Sequence, residues 1–382
     1  MLGDASGRGA VDGFRVTCPA MQHPYTEAEI DAVVKVMREA CGQTQGKYMV
    51  EFEQAFCAFT GAKHAFAVNN CTSALKMAAI FCHIQPGDEV IIPAYTFCAS
   101  AIPFGDLGAK IVWADINPDT WTIDPDDFER KITPKTKAVV AVHLLGIPCD
   151  MKRIVAIARR HGIKVVEDCA QAHGAGYEGR MAGSLGDIGC FSFYPGKNLY
   201  AFGEGGSVTC KTQEHFDTVT TMKNQGCHVR YYHDMIGYNY RLEGIQGAVL
   251  SVSLKYLPEW TARRREIGKQ YLREIYNPLI IHQAHPDNTD PVFHLFVIQV
   301  ENPEHFLTYM QEKGMECNRH YPVPCHLQKA YASLGYHEGD CPNAEKLAKH
   351  CVTLPLFPEM TADEVQLVID AAMIIQASKG KL

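Results

Sequence analysis

With 382 residues, of which 47% are hydrophobic and 21% charged, the chain has a globular composition, and disordered or collagen-like classes fall away. A formal charge of −7, with no Lys/Arg run longer than the triplet at 263–265, excludes the basic stripe that nucleic-acid phosphates demand. The length suits about two or three domains, and two is the working number.

The opening stretch, MLGDASGRGAVDGFRVTCPA, holds no apolar run of signal-peptide length. Nor does any later segment approach the roughly 18 uninterrupted apolar residues of a membrane span, so the expected location is cytoplasmic. Between residues 25 and 250 helical and strand patterns then alternate. TEAEIDAVVKVMREA carries apolar residues at helical spacing, with Thr26 placed to cap it. In NNCTSALKMA, Thr72 and Ser73 stand at the start of a helix that follows a strand. First-turn amides and small hydroxyls there suit a phosphate, and ordinary capping explains the same residues equally well.

The runs DEVIIPA, KIVWADI, KAVVAVHLL and IKVVEDCA read as short, fully apolar strands. Interleaved with helices such as MKRIVAIARRHG, which ends on His161 and Gly162 just before IKVVED, they imply a mainly parallel sheet covered on both faces. Ligands bind such sheets at the carboxyl ends of strands, so 69–73, 94–97, His143, 168–173 and 192–197 are the positions to inspect. Asp168 ends one strand, where a lone acid is costly unless it meets a cation; a helix N-cap and a pyridinium partner both fit. GAGYEG, at 174–179, matches G-x-G-x-x-G but leads into the turn-rich RMAGSLGD rather than a helix, so a hairpin is the better reading. In FSFYPGKNL an aromatic strand passes through a Pro-Gly turn into Lys197, and a glycine-rich segment follows. A surface lysine is the ordinary outcome, but an amine desolvated between such elements loses basicity and becomes a competent Schiff-base nucleophile.

A long helix, YNYRLEGIQGAVLSVSLKYLPEWTARRREIGKQYL, is expected to break near Pro258, with the arginine triplet on a solvated face. VFHLFVIQV, HFLTYMQEKG and MTADEVQLVIDAAMII suggest a smaller α+β domain. The expected division is a large domain at 25–255 and a small one at 256–382, with 1–24 as an arm packed on the latter. The 15 cysteines show no C-x-x-C and the 17 histidines no H-E-x-x-H, so buried thiols in a reducing compartment are expected and a metal is not.

The run VVEDCAQAHGAGYEGRMAGSLGDIGCFSFYPGKNLYAFGEGGSVTC resembles the core of the DegT/DnrJ/StrS family of sugar aminotransferases dependent on pyridoxal phosphate. YMVEFEQAFCAFTGAKHAFAVNNCTSALKMAA, PGDEVIIPAYTFCASA, TKAVVAVHLLGIPCDM, YYHDMIGYNYRLEGIQGAVLSVSLKYL and HYPVPCHLQKAYASLGY fall in family order. The resemblance implies the α/β fold type I of aspartate aminotransferase, with a mainly parallel mixed sheet flanked by helices in the large domain. It implies that Lys197 forms the Schiff base with the cofactor and that Asp168 pairs with its ring nitrogen. Gln171 would lie near the phenolic oxygen, Phe97 would stack on the ring, and Thr72, Ser73 and Ser192 would hold the phosphate. Asn239 would reach the phosphate of the neighbouring subunit, which requires a homodimer with shared sites. Two departures stand out: Cys71 replaces a usual glycine, and Tyr200 replaces a small residue and would narrow the substrate mouth. Arg241, His320 and Tyr321 are further substrate candidates, with Arg230 and Arg319. Family relatives that dehydrate carry histidine in place of the lysine, so aminotransfer is implied. The donor would be L-glutamate and the acceptor a nucleotide-linked 3-keto-6-deoxyhexose, with C-4 and cyclitol ketones as alternatives and a dehydratase or a non-catalytic regulator behind them.

Overall fold

The structure, a computed structural model, describes residues 14–17, 25–39, 42, 44 and 46–375. Its centre is a sheet of seven strands: β1 (His64–Val68), β2 (Glu89–Pro93), β3 (Lys110–Ala114), β4 (Thr136–Val142), β5 (Lys164–Asp168), β6 (Ile188–Ser192) and β7 (Gly206–Cys210). Their spatial order is β1-β7-β6-β5-β4-β2-β3, and β7 alone runs against the others. Apolar residues on successive positions serve opposite faces, as a pleat requires. Ile92, Val140 and Val166 pack on one side with Ala74 and Leu75 of helix α3 (Cys71–Phe81), which follows α1 (Glu27–Glu39) and α2 (Lys47–Thr60) in the chain. Ile91, Val139 and Val165 pack on the other with Ile154 and Ile157 of a helix at Met151–His161. The decoy GAGYEG closes a small hairpin, with 176–177 paired antiparallel to 180–181, as its turn-rich sequel suggested.

The second unit is a three-stranded antiparallel sheet of Ile281–His282, Phe296–Gln299 and Cys351–Leu354. Helices Pro303–Glu312 and Ala362–Ile374 cover it through Phe306, Met310, Val368 and Ile369. A single helix of 31 residues, Gly244–Glu274, joins the two units. Its Leu250, Leu254 and Leu257 pack with Phe52 and Phe56 against the large sheet, while its Ile267 and Tyr271 belong to the small-sheet core. The expected boundary after residue 255 therefore falls inside a continuous helix, and Pro258 does not break it. Of the expected arm only 14–17 are described: Val16 is buried and pairs with Met315, and the remainder of 1–24 lies outside the described residues.

The arginine triplet corrects its sequence reading. Arg264 is 1% exposed, and its Nη1 donates to the carbonyls of Phe293, His294 and Leu356 at 3.0, 3.3 and 3.2 Å. Arg265 Nε donates to Pro291 O and Arg263 Nη2 to Met360 O. The helix face is clasped between the two units rather than solvated, and the guanidinium groups serve backbone carbonyls of the 291–294 crossing and of the 356–360 segment.

Candidate active site

Parallel order brings the carboxyl ends of β5 and β6 together beside the start of α3. Asp168 is the last residue of β5 and buried; its Oδ2 accepts from Ser100 Oγ (2.7 Å) and its Oδ1 from Ala170 N (3.1 Å). The neighbouring Glu167 faces the opposite side of the sheet by strand alternation. There it accepts from the amides of Gly183, Leu185 and Gly186 and faces His143 Nε2 at 2.9 Å. His143 Nδ1 in turn accepts from Cys149 N (3.1 Å). His143, Glu167 and Cys169 are near enough to suggest a metal site, yet the lone pairs of His143 and Glu167 are spent on these hydrogen bonds. This acid is a structural anchor, and only Asp168 turns toward α3.

Beyond β6 the chain turns at Tyr194, whose carbonyl accepts from Lys197 N (2.9 Å). Lys197 is half-buried, and among the described residues its Nζ makes no hydrogen bond or ion pair. Burial lowers the basicity of this amine, against the opposing pull of Cys71 and Asp168. The Cys71 thiol is itself pushed up by burial and next by the charge of Asp168, so the three side chains lie within electrostatic reach of one another.

The phosphate candidates converge through one glycine. Gly206 of β7 is registered opposite Ser192 of β6, and a Cβ at Gly206 would lie 2.6 Å from Asn70 C and 2.9 Å from Cys71 N. The missing side chain lets the start of α3 rest on the end of β6. Asn70 is the actual N-cap, in extended conformation, with its Oδ1 accepting from Ser73 N (2.8 Å). The helix thus opens at Cys71, one residue before the expected Thr72. None of 69–73 has positive φ, so the loop does not require the glycine that Cys71 replaces. Thr72 is exposed, while Ser73 and Ser192 are buried.

A cavity of about 330 Å³ adjoins this group, lined by Gln171, Lys197, His294, His320, Tyr321 and Phe357 among others. Gln171 Oε1 accepts from Leu145 N (2.7 Å) and its Nε2 donates to Tyr321 Oη (3.3 Å). Phe97 is 55% exposed with its ring 5.8 Å from that of Tyr321. His320 Nδ1 faces Thr353 Oγ1 at 2.8 Å, and burial, then the charge of Lys197, pushes its pKa down to about 4. Burial likewise raises the Tyr321 phenol above its ordinary range. A larger groove of about 810 Å³, between Thr60, Arg180 and Asp290, holds none of the predicted site residues.

The other candidates separate from this group. Tyr200 does not narrow a substrate mouth: it is fully buried, edge-on to Tyr25 at 5.5 Å. Arg241 does not line the cavity, and its Nη1 donates to Asn224 Oδ1 (2.7 Å). Arg319 is engaged by Glu304 and the carbonyls of Ala348 and Lys349, while Arg230 is exposed over the Tyr231 ring. Asn239 is exposed and bridges to Asn224. Sequence reasoning missed Ser100, Asn198 and His294, and gave Asn70, inside the inspected 69–73, no role of its own. Of these only Asn70 had a local signal, an asparagine directly before an apolar helix.

The residues present fit pyridoxal phosphate: an amine without a partner among the described residues, a buried carboxylate already held by a hydroxyl, and a helix N-terminus abutting Ser192. A model of the DegT/DnrJ/EryC1/StrS aminotransferase family matches residues 24–373. The chain is 40% identical to a dTDP-3-amino-3,6-dideoxy-alpha-D-galactopyranose transaminase of Aneurinibacillus thermoaerophilus, over 90% of this chain and 94% of that one. It is 38% identical to a pleiotropic regulatory protein of Geobacillus stearothermophilus, over 91% and 95%. Its structure resembles that of DesV from S. venezuelae in complex with a ketimine intermediate, with a TM-score of 0.88, 38% identity, and 90% and 93% of the two chains covered.

Proposed function

The chain belongs to the DegT/DnrJ/EryC1/StrS aminotransferase family, and from that premise we propose that it aminates C-3 of a nucleotide-linked 3-keto-6-deoxyhexose with L-glutamate as donor. The observation that carries the reading is Lys197: an amine of lowered basicity, without a partner among the described residues, in the wall of a cavity shared with Gln171 and Tyr321. Lys197, Asp168, Gln171, Phe97, Thr72, Ser73 and Ser192 would hold pyridoxal phosphate, and Asn239 would reach it from a second copy of the chain in a homodimer. When bound, the cofactor supplies a ring that accepts the electron pair left by a breaking carbon–hydrogen bond.

The chain's own residues do the rest. Lys197 Nζ takes the proton from the donor's α-carbon and, in the second half-reaction, delivers one to the sugar carbon that gains the amine. Ser100 Oγ and Ala170 N each donate to the Asp168 carboxylate and hold it in place, where it would pair with the cofactor's ring nitrogen. Gln171 is fixed at both ends, by Leu145 and Tyr321, and so presents a set amide edge. The choice of C-3 is supported by the name of the A. thermoaerophilus relative. The G. stearothermophilus relative is named a regulatory protein, and a chain that held the cofactor without turning over would leave the cofactor band unchanged by glutamate.

The test is the spectrum of the cofactor-loaded protein with and without L-glutamate, followed by mass analysis of the sugar product. A visible band that glutamate discharges, and an amino sugar in place of the keto sugar, are expected. Loss of water from the sugar without gain of an amine would instead establish a dehydratase.

A further inference from the structure

His294 borders the same cavity and has no assigned part in it. It is buried on the 292–294 crossing, which approaches the large domain through Gly146, where a Cβ would come within 2.9 Å of His294 N. His294 N donates to Leu145 O (3.0 Å), whose own amide holds Gln171. The ring is fixed by the residue that follows Lys197. Asn198 Nδ2 donates to Val292 O (3.4 Å), which leaves its Oδ1 to accept from His294 Nδ1 at 2.9 Å. The hydrogen therefore sits on Nδ1, and Nε2 carries a bare lone pair with no partner among the described residues. Burial, then the charge of Lys197, pushes the histidine's pKa well down, so the ring stays neutral. Two unmatched polar atoms thus border one cavity, an amine that can donate and an imidazole nitrogen that can only accept.

We propose that His294 is a positioning residue for Lys197: its Nε2 accepts a hydrogen bond from the Lys197 ammonium and aims the amine while it carries a proton. This deepens the aminotransferase reading and rests on it. A structural role, by contrast, would need only the Nδ1 contact with Asn198.

The two roles separate by substitution, because an asparagine amide overlays the Nδ1 position of histidine and a glutamine amide the Nε2 position. The probe is the acylation rate of Lys197 in cofactor-free protein, followed against pH by peptide mass spectrometry. An acceptor stabilises the ammonium, so His294→Asn is expected to move the midpoint down by about one pH unit, the effect of one hydrogen bond to a charged group. His294→Gln is expected to stay near the wild-type midpoint. Should His294→Asn fail to fold, His294→Met against His294→Gln makes the same comparison. An unmoved midpoint in the variant lacking the acceptor, an upward shift, or equal shifts in both variants would each overturn the proposal. Failure of wild-type protein to trap pyridoxal phosphate on Lys197 under borohydride would overturn the aminotransferase reading instead, and does not depend on the His294 result.

Discussion

Burial and Asp168 pull on Lys197 in opposite directions, and burial is the larger influence. The amine must be unprotonated to accept a proton from the donor, so activity falls on the acid side as it protonates. Lowered basicity places that limb below the ordinary lysine range of about 10, and a pH profile of kcat locates it. Lys197→Ala is expected to cost about 10²-fold to 10⁴-fold or more in kcat and to remove the visible cofactor band, measured on protein whose melting is unchanged. At this scale a turn singled out Lys197 and a strand end Asp168, while the role of Gln171 came only from the family resemblance. Ser100 was not legible, since its bond to Asp168 spans 68 positions. Tyr200 was misjudged for the same reason: only the three-dimensional neighbour Tyr25 reveals that its ring faces inward.

Among elements, α3 couples stability to the site. Its cap, Asn70 Oδ1 to Ser73 N, satisfies one of the orphan first-turn amides and fixes where the remaining ones point. Asn70→Ala is expected to lower stability by about 1 kcal/mol, a melting shift of roughly 1–2 °C for a chain of this size, and to weaken cofactor retention. Calorimetry and equilibrium dialysis check the two effects separately. Gly206→Ala attacks the same junction from β7, because its Cβ meets backbone that has no side chain to swing away; a loss of about 1–3 kcal/mol is expected, read from denaturant midpoints. The parallel strands were legible as apolar runs, and the helix start to within one residue. The arginine triplet was not, because amphipathic spacing shows that a face exists but not whether water or a second unit covers it.

The molecule as a whole leaves a surface that one chain does not cover. Val229, Tyr231, Tyr232 and Ile236, the last 91% exposed, crowd the hairpin formed by 227–229 and 232–233, and the exposed Asn239 follows shortly after. The change in sequence pattern after residue 250 falls within the joining helix, which packs on both cores and runs unbroken through Pro258, so local pattern marks no point at which one core gives way to the other. A homodimer that buries the hairpin and lends Asn239 to its partner has a consequence that no monomer shares. Lys197→Ala and Asn239→Ala would each be nearly inactive alone. A mixed dimer would hold one site with both lysine and asparagine intact, because each chain supplies what the other lacks. After unfolding and refolding an equimolar mixture, about half the dimers are mixed and each has one working site of two, so about a quarter of wild-type activity is expected to return. Activity no greater than the sum of the separate variants would mean that Asn239 serves its own chain, or that the sites are not shared.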